Sequence, residues 1–211
     1  TLRWDKDGPV DVYVAATPDS PADKLRKLAD NDSDGSFSIR LHGVARPYFL
    51  LKSENDGSEI RLAERLLPLQ GGSNFRDIGG YPAGDGRHGR LGLIYRSGGM
   101  PMLTSADYHY LSRLGIVTIC DLRSREENEV APTNWKAIKA HNYIAPSYGA
   151  DKVFGRLVDP HGKAMKPETI YRDFPTLLQP HLKQIFASLL AGGGPVAVNC
   201  SAGQDRTGFA T

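Results

Sequence analysis

Cys200 and Arg206 stand with five residues between them, Ser201-Ala202-Gly203-Gln204-Asp205, most of them small or polar. A loop of that length can curl around one tetrahedral anion. If its N–H groups turn inward and a helix begins near Arg206, the aligned backbone dipoles attract negative charge without a metal. The same field favours the thiolate of Cys200 over the thiol, and the thiolate is the nucleophile. The planar fork of Arg206 can hold two phosphoryl oxygens at once, which a lysine cannot do. Attack of a cysteine sulfur on a phosphate is therefore the chemistry that these residue types permit. Ser201, Ala202, Gly203, Gln204, Thr207 and Gly208 are the candidate phosphate-binding residues, with the Thr207 hydroxyl suited to help the sulfur leave a thiophosphate intermediate.

Expelling an alkoxide or phenoxide requires a proton donor, a contribution of roughly 10²–10⁴-fold. Asp205, inside the loop, is the leading candidate, and Asp151 and Asp159 upstream compete for the role. The bland alternative for Cys200 is a buried structural cysteine at a strand end, the commoner fate of a lone cysteine. Cys120 takes that reading outright, because Ile116-Val117-Thr118-Ile119-Cys120 reads as a core strand.

The elements around the loop must deliver it to one place. Val196-Ala197-Val198-Asn199 reads as a buried strand ending at Cys200. Before it, a helix beginning near Pro180 carries Leu182, Ile185, Phe186, Leu189 and Leu190 as an apolar stripe, and Gly192-Gly193-Gly194 ends it. Thr104-Ser105-Ala106-Asp107 resembles a capping box opening a helix that Gly115 stops. Strands alternating with helices predict an α/β domain with a largely parallel central sheet flanked by helices.

Residues 1 to about 65 differ, with short β-type runs at Val10–Val14, Phe37–Leu41, Tyr48–Leu51 and Glu59–Leu62. Turn clusters at Thr17–Pro21, Asp30–Gly35 and Asn55–Gly57 separate them. That spacing predicts a small all-β, sandwich-like domain over residues 1–66. A catalytic domain follows over residues 67–211, after a linker near Leu69-Gln70-Gly71-Gly72-Ser73.

The run Asn199–Gly208 resembles the signature loop of the protein tyrosine phosphatase superfamily, and more closely that of the atypical bacterial tyrosine and lipid phosphatases, H-C-x-x-G-K-D-R-T-G. Further blocks stand in the family's order: Asn74-Phe75-Arg76-Asp77-Ile78-Gly79-Gly80-Tyr81, Tyr95-Arg96-Ser97-Gly98, Asp121-Leu122-Arg123-Ser124 with Glu126, and Tyr171-Arg172-Asp173-Phe174. The resemblance spans roughly residues 66 to 211. It implies a phosphate-monoester hydrolase with Cys200 as nucleophile, Arg206 as phosphate ligand and Asp205 as general acid. It also implies helices beyond the loop, whereas only Phe209, Ala210 and Thr211 follow Gly208, so the expectation is a catalytic domain cut short at its C-terminus. Asn199 replaces the family's histidine and Gln204 its lysine. A less positive cradle suits phosphotyrosine better than a multiply phosphorylated inositide, whose extra phosphates need extra cations. Phosphoinositide hydrolysis, a non-catalytic phosphate-binding module and sulfur transfer by a similar loop are the rival readings.

Composition narrows the remaining classes. A net charge of +2 over 211 residues, with no dense basic run, argues against a nucleic-acid partner. The expected partner is a phosphorylated protein or phospholipid substrate. No stretch approaches 18 apolar residues, so no transmembrane segment is expected. Six histidines without helical i, i+4 pairing give no reason to expect a metal or other cofactor. Two cysteines provide no disulfide framework. A cytoplasmic location, or a secreted or periplasmic one after removal of a signal peptide, fits equally well. Gly84-Asp85-Gly86-Arg87-His88-Gly89 satisfies a dinucleotide fingerprint formally but lacks the strand before it, so it reads as a surface turn. Asp30–Gly35 opens like a calcium loop, yet Leu41 occupies the position of the required glutamate.

Overall fold

The computed structural model describes residues 1–5, 8–42, 44–145, 147–154, 161, 163 and 166–211. It divides into two units, Thr1–Arg65 with Gly79–Leu91, and Leu66–Ile78 with Gly92–Thr211.

In the first unit, Val10, Val12 and Val14 alternate with polar or half-buried residues in a way that suits a pleated strand. Its strands are β1 (Leu2–Arg3), β2 (Val10–Ala15), β3 (Arg26–Asp32), β4 (Ser36–Phe37), β5 (Tyr48–Ser53) and β6 (Glu59–Ala63). β3, β2, β5 and β6 form an antiparallel sheet in that order, and β1 pairs with β4 in a separate ribbon. Val10, Val12 and Leu51 form the buried centre, with Leu2, Trp4 and Phe37 packed on it. The expected strand over Phe37–Leu41 reduces to Ser36–Phe37, and β3 extends into the segment expected to be a turn. A side chain explains the second difference: Asn31 takes a left-handed φ of 50° at an irregularity in the β2–β3 register, and its N–H donates to the buried Asp11 carboxylate at 3.0 Å. The segment Gly84–Gly89 is an exposed turn, closed by Ala83 N–H to Arg87 O at 2.7 Å.

The second unit is mixed α/β. It contains β7 (Arg76–Asp77), β8 (Ile94–Ser97), α1 (Ser105–Ser112), β9 (Thr118–Asp121), α2 (Arg125–Val130), β10 (Asn142–Ile144), α3 (Asp151–Phe154), α4 (Pro167–Leu177), α5 (Gln179–Leu190), β11 (Val196–Asn199) and α6 (Asp205–Ala210). The sheet order is β10-β9-β11-β8-β7; β10, β9, β11 and β8 run parallel and β7 antiparallel. Asn199 stands level with Asp121 on one side and Ser97 on the other. Three parallel strands thus end at one edge, which is where open α/β sheets place their sites.

The strand period of two sorts the core into two layers. Ile119, Ala197 and Tyr95 pack with Leu111 of α1. Cys120, Val196, Val198 and Cys200 pack with Phe174 and Leu178 near the α4–α5 junction and Ile185 of α5. The α1 capping box forms as expected, and the buried Asp107 carboxylate also accepts from the N–H groups of Gln70 and Gly71 at 2.8 and 2.9 Å. The α5 stripe is narrower than its sequence suggested. Ile185 is buried, while Phe186 is 61% and Leu190 87% exposed.

Candidate functional site

β11 is central and buried along its length, so its end fixes Cys200 firmly; the cysteine is 2% exposed. The loop after it is held by its carbonyls. Ser201 O accepts from Gly99 N–H at 2.8 Å, Gly203 O from Asn74 Nδ2 at 3.0 Å and from Arg96 Nη2 at 2.7 Å, and Ala202 O and Gln204 O have longer contacts with the same two side chains. A trans peptide sets each N–H opposite the preceding carbonyl, so the amides of Ala202, Gly203, Gln204 and Asp205 point away from this scaffold. Among the described residues, those four amides donate to no protein acceptor. Gln204 occupies the N-cap of α6, and no side chain caps that helix.

Gly203 is required by both conformation and space. Its φ is +69°, and a Cβ there would lie 2.4 Å from Ser97 C and 2.5 Å from Gly98 N, both backbone atoms. Asn74, which ties the loop, itself adopts a φ of +58°, a conformation in which asparagine is enriched.

Arg206 is 6% exposed and strongly engaged. Its Nη1 donates to Glu127 Oε2 at 2.7 Å and its Nη2 to Glu127 Oε1 at 2.8 Å, a bidentate pair. Nη1 also contacts Leu122 O at 3.1 Å and Tyr148 Oη at 3.2 Å. The Nε–H has no protein acceptor among the described residues. Burial pushes the Glu127 carboxyl up, but Arg206, the Ser124 N–H and the Ser201 hydroxyl together hold it at about 2. Sequence reasoning missed Glu127, which takes both terminal nitrogens of Arg206. The signal was present: Ser124-Arg125-Glu126-Glu127 has capping-box spacing, and Ser124 and Glu127 do close that box on α2. Glu126, singled out from sequence, instead accepts from Ala150 N–H at 2.6 Å.

Behind the cysteine lies a buried polar cluster. Asn199 Nδ2 donates to Asp121 Oδ1 at 3.0 Å, and Arg123 grips the same carboxylate through Nε at 2.9 Å and Nη2 at 2.7 Å. Arg123 also reaches Asn128 Oδ1 at 2.8 Å and Ala131 O at 2.6 Å. Asp121 is 0% and Arg123 2% exposed, so the pair is satisfied internally, as a buried ion pair must be.

Asp205 opens α6 and is exposed, and its Oδ1 accepts from the Tyr171 hydroxyl. Thr207 is fully buried, and its hydroxyl has no hydrogen-bond partner among the described residues. Gly208 N–H continues the helix to Gln204 O at 2.9 Å. Ser201, Ala202 and Gln204 are exposed. The structure thus brings Cys200 and Arg206 together with Asp205 around one loop. Asp151 opens α3, exposed and 3.5 Å from Lys152 Nζ; Asp159 lies outside the described residues.

Cys120 is 0% exposed, and burial followed by the Asp121 charge pushes its thiol up. His181 is 1% exposed, and burial pushes its imidazolium pKa down. Among the described residues no cluster of three or more His, Cys, Asp or Glu side chains could hold a metal, and no helix is long and apolar enough to cross a membrane.

Residues 67–211 match the family model described as the tyrosine phosphatase family. The chain is 30% identical over 148 residues to a Cupriavidus necator protein with a provisional tyrosine-protein phosphatase name, a match covering 65% of this chain and 52% of the relative. It is 33% identical over 178 residues to the triple specificity protein phosphatase PtpB of Mycobacterium tuberculosis, covering 70% of this chain and 61% of the relative. The chain spans between about half and three-fifths of the length of these relatives.

Proposed function

The chain belongs to the tyrosine phosphatase family, and from that membership we propose that it hydrolyses phosphate monoesters through a cysteinyl-phosphate intermediate. The observation that carries the reading is the loop between Cys200 and Arg206, whose carbonyls are tied back while the amides of residues 202 to 205 are left for a ligand. Cys200 Sγ attacks phosphorus as the ester P–O bond breaks, and Asp205 gives a proton to the departing oxygen. Water then attacks phosphorus, Asp205 accepts its proton, and the S–P bond breaks to return the thiolate. The loop amides and the Nε–H of Arg206 hold the phosphoryl oxygens, and their fixed dipoles match the charge that spreads there in the transition state. Glu127 holds the rest of the guanidinium in place. The buried, unpaired Thr207 hydroxyl suits the departing sulfur. Ser201, Ala202, Gly203, Gln204 and Gly208 complete the cradle. In this reading residues 67–211 are the catalytic domain and residues 1–66 an accessory, sandwich-like one.

Phosphotyrosine is the favoured substrate, because Asn199 and Gln204 bring no cation to the loop. The triple specificity in the name of the Mycobacterium relative makes it necessary to assay several substrates together. Phosphotyrosine peptide, phosphoserine peptide and phosphoinositide, offered under one set of conditions, rank the classes. Hydrolysis should be blocked by vanadate and abolished by Cys200→Ser. Undiminished turnover in that variant would remove the mechanism, and phosphopeptide binding without hydrolysis by the wild type would leave a binding module.

A further inference from the structure

The hydrogen bond between Tyr171 and Asp205 joins two helices. Tyr171 lies on α4, where its ring stands 5.1 Å from that of Phe174, and Phe174 in turn meets Phe209 of α6 at 5.8 Å. Phe174 is 3% exposed. This aromatic ladder limits the freedom of the phenol and sets its hydroxyl at the first residue of α6. Asp205 itself is exposed, and the terminal torsion of a carboxylate side chain is broad and roughly two-fold, so without a partner its two oxygens would exchange places freely.

We infer that Tyr171 is the positioning residue for the proton donor, occupying Oδ1 of Asp205 so that Oδ2 alone faces the reacting oxygen. The inference rests on the reading of Asp205 as general acid. In the first step the proton on Oδ2 passes to the ester oxygen as S–P forms and P–O breaks. In the second, Oδ2 takes a proton from water as the water oxygen bonds to phosphorus and the S–P bond breaks. The Tyr171 proton stays on its own oxygen in both steps. The hydrogen bond to Asp205, then burial, then the charges of Asp205 and Cys200 push the Tyr171 phenol up, so it remains a donor throughout the neutral range.

A ring that merely lined the substrate pocket would act on affinity, whereas a group that aims a proton donor acts on leaving-group dependence. Tyr171→Phe keeps the ring and removes only the hydroxyl. It is compared with wild type on p-nitrophenyl phosphate, phenyl phosphate and an alkyl phosphate, alone and in the Asp205→Asn background. A nitrophenolate leaves almost without help. The expected result is a loss in kcat of less than about twofold on p-nitrophenyl phosphate that grows to roughly tenfold on the poorer leaving groups, a fraction of the full general-acid contribution. In the Asp205→Asn background the hydroxyl should have no further effect, as expected of groups that act as a unit. An equal loss on all three substrates, or a change confined to KM, overturns the inference while leaving Asp205 as the acid. If Asp205→Asn itself fails to steepen the leaving-group dependence, the reading of Asp205 falls and the inference with it.

Discussion

At one edge of the parallel sheet, two strand-loop-helix turns lie side by side and treat their helix N-termini in opposite ways. β9 leads through Leu122–Ser124 into α2, whose first amides are closed by its own capping box, Ser124 and Glu127. β11 leads through residues 200 to 204 into α6, which no side chain caps. Each strand also brings a buried cysteine to the same core layer, Cys120 and Cys200. Cys120 lies within its strand, and burial and the neighbouring Asp121 charge push its thiol up; Cys200 lies one residue past its strand, at the open loop. Residue type and burial are thus nearly equal in the two turns. What separates them is which backbone donors remain unspent. The turns are also coupled, since the glutamate that closes the first turn grips the arginine of the second.

The largest effect on this contrast, short of replacing Cys200, should come from Arg206→Lys. A lysine cannot span Glu127 and a phosphoryl group together, and kcat should fall by roughly 10²–10³-fold, the scale of losing one oriented oxyanion donor. A fall of less than about fivefold would show that the amides hold the phosphate alone. Gly203→Ala should come next, because it forces a Cβ against the backbone of Ser97 and Gly98. It should destabilise the fold by about 1–3 kcal/mol and lower kcat with it, read by denaturant melting and by assay. An unchanged melting midpoint would mean that the loop relaxes at no cost.

Glu127→Gln probes the link between the turns through pH. The Glu127 carboxyl is held at about 2 against an ordinary 4.5. A carboxylate depressed in the folded state contributes its stability in full above the unfolded value and loses it as pH falls through the folded one. The wild-type melting temperature should therefore drop more steeply than that of Glu127→Gln between about pH 4.5 and 2. Parallel slopes would show that the pair contributes nothing to stability. Cys120→Ala should be the mildest change, costing about 1 kcal/mol from a small buried gap and leaving kcat within about twofold. A larger loss in kcat would break the contrast between the two cysteines.

The placing of Cys200, Asp205 and Arg206 on one loop between a buried strand and a helix was legible because their spacing is local and spacing is what a sequence records. The α1 capping box was legible for the same reason. The box on α2 was equally readable, but its second task was not: Glu127 meets Arg206 only because β9 and β11 are paired in a register that sets Asn199 beside Asp121. Tyr171 stood in a recognisable block, yet its contact with Asp205 depends on how α4 lies on α6. The same limit applies in the first unit, where a strand runs through Asp30–Asp32 because the buried Asp11 carboxylate captures the Asn31 N–H. Phe186 and Leu190 show the converse error. Their helical spacing matched a buried stripe, but the sheet surface available to α5 accommodates Ile185 and its near neighbours and leaves those two side chains exposed.

The central claim is that the uncapped turn forms a covalent bond to phosphorus and the capped one does not. Rapid acid quench of the protein turning over an aryl phosphate, followed by peptide mass analysis, tests it directly. The account predicts one added phosphoryl group on the peptide containing Cys200, none on the peptide containing Cys120, and none anywhere in Cys200→Ser. Turnover with no phosphoryl group on Cys200, or a group that persists in Cys200→Ser, would contradict it.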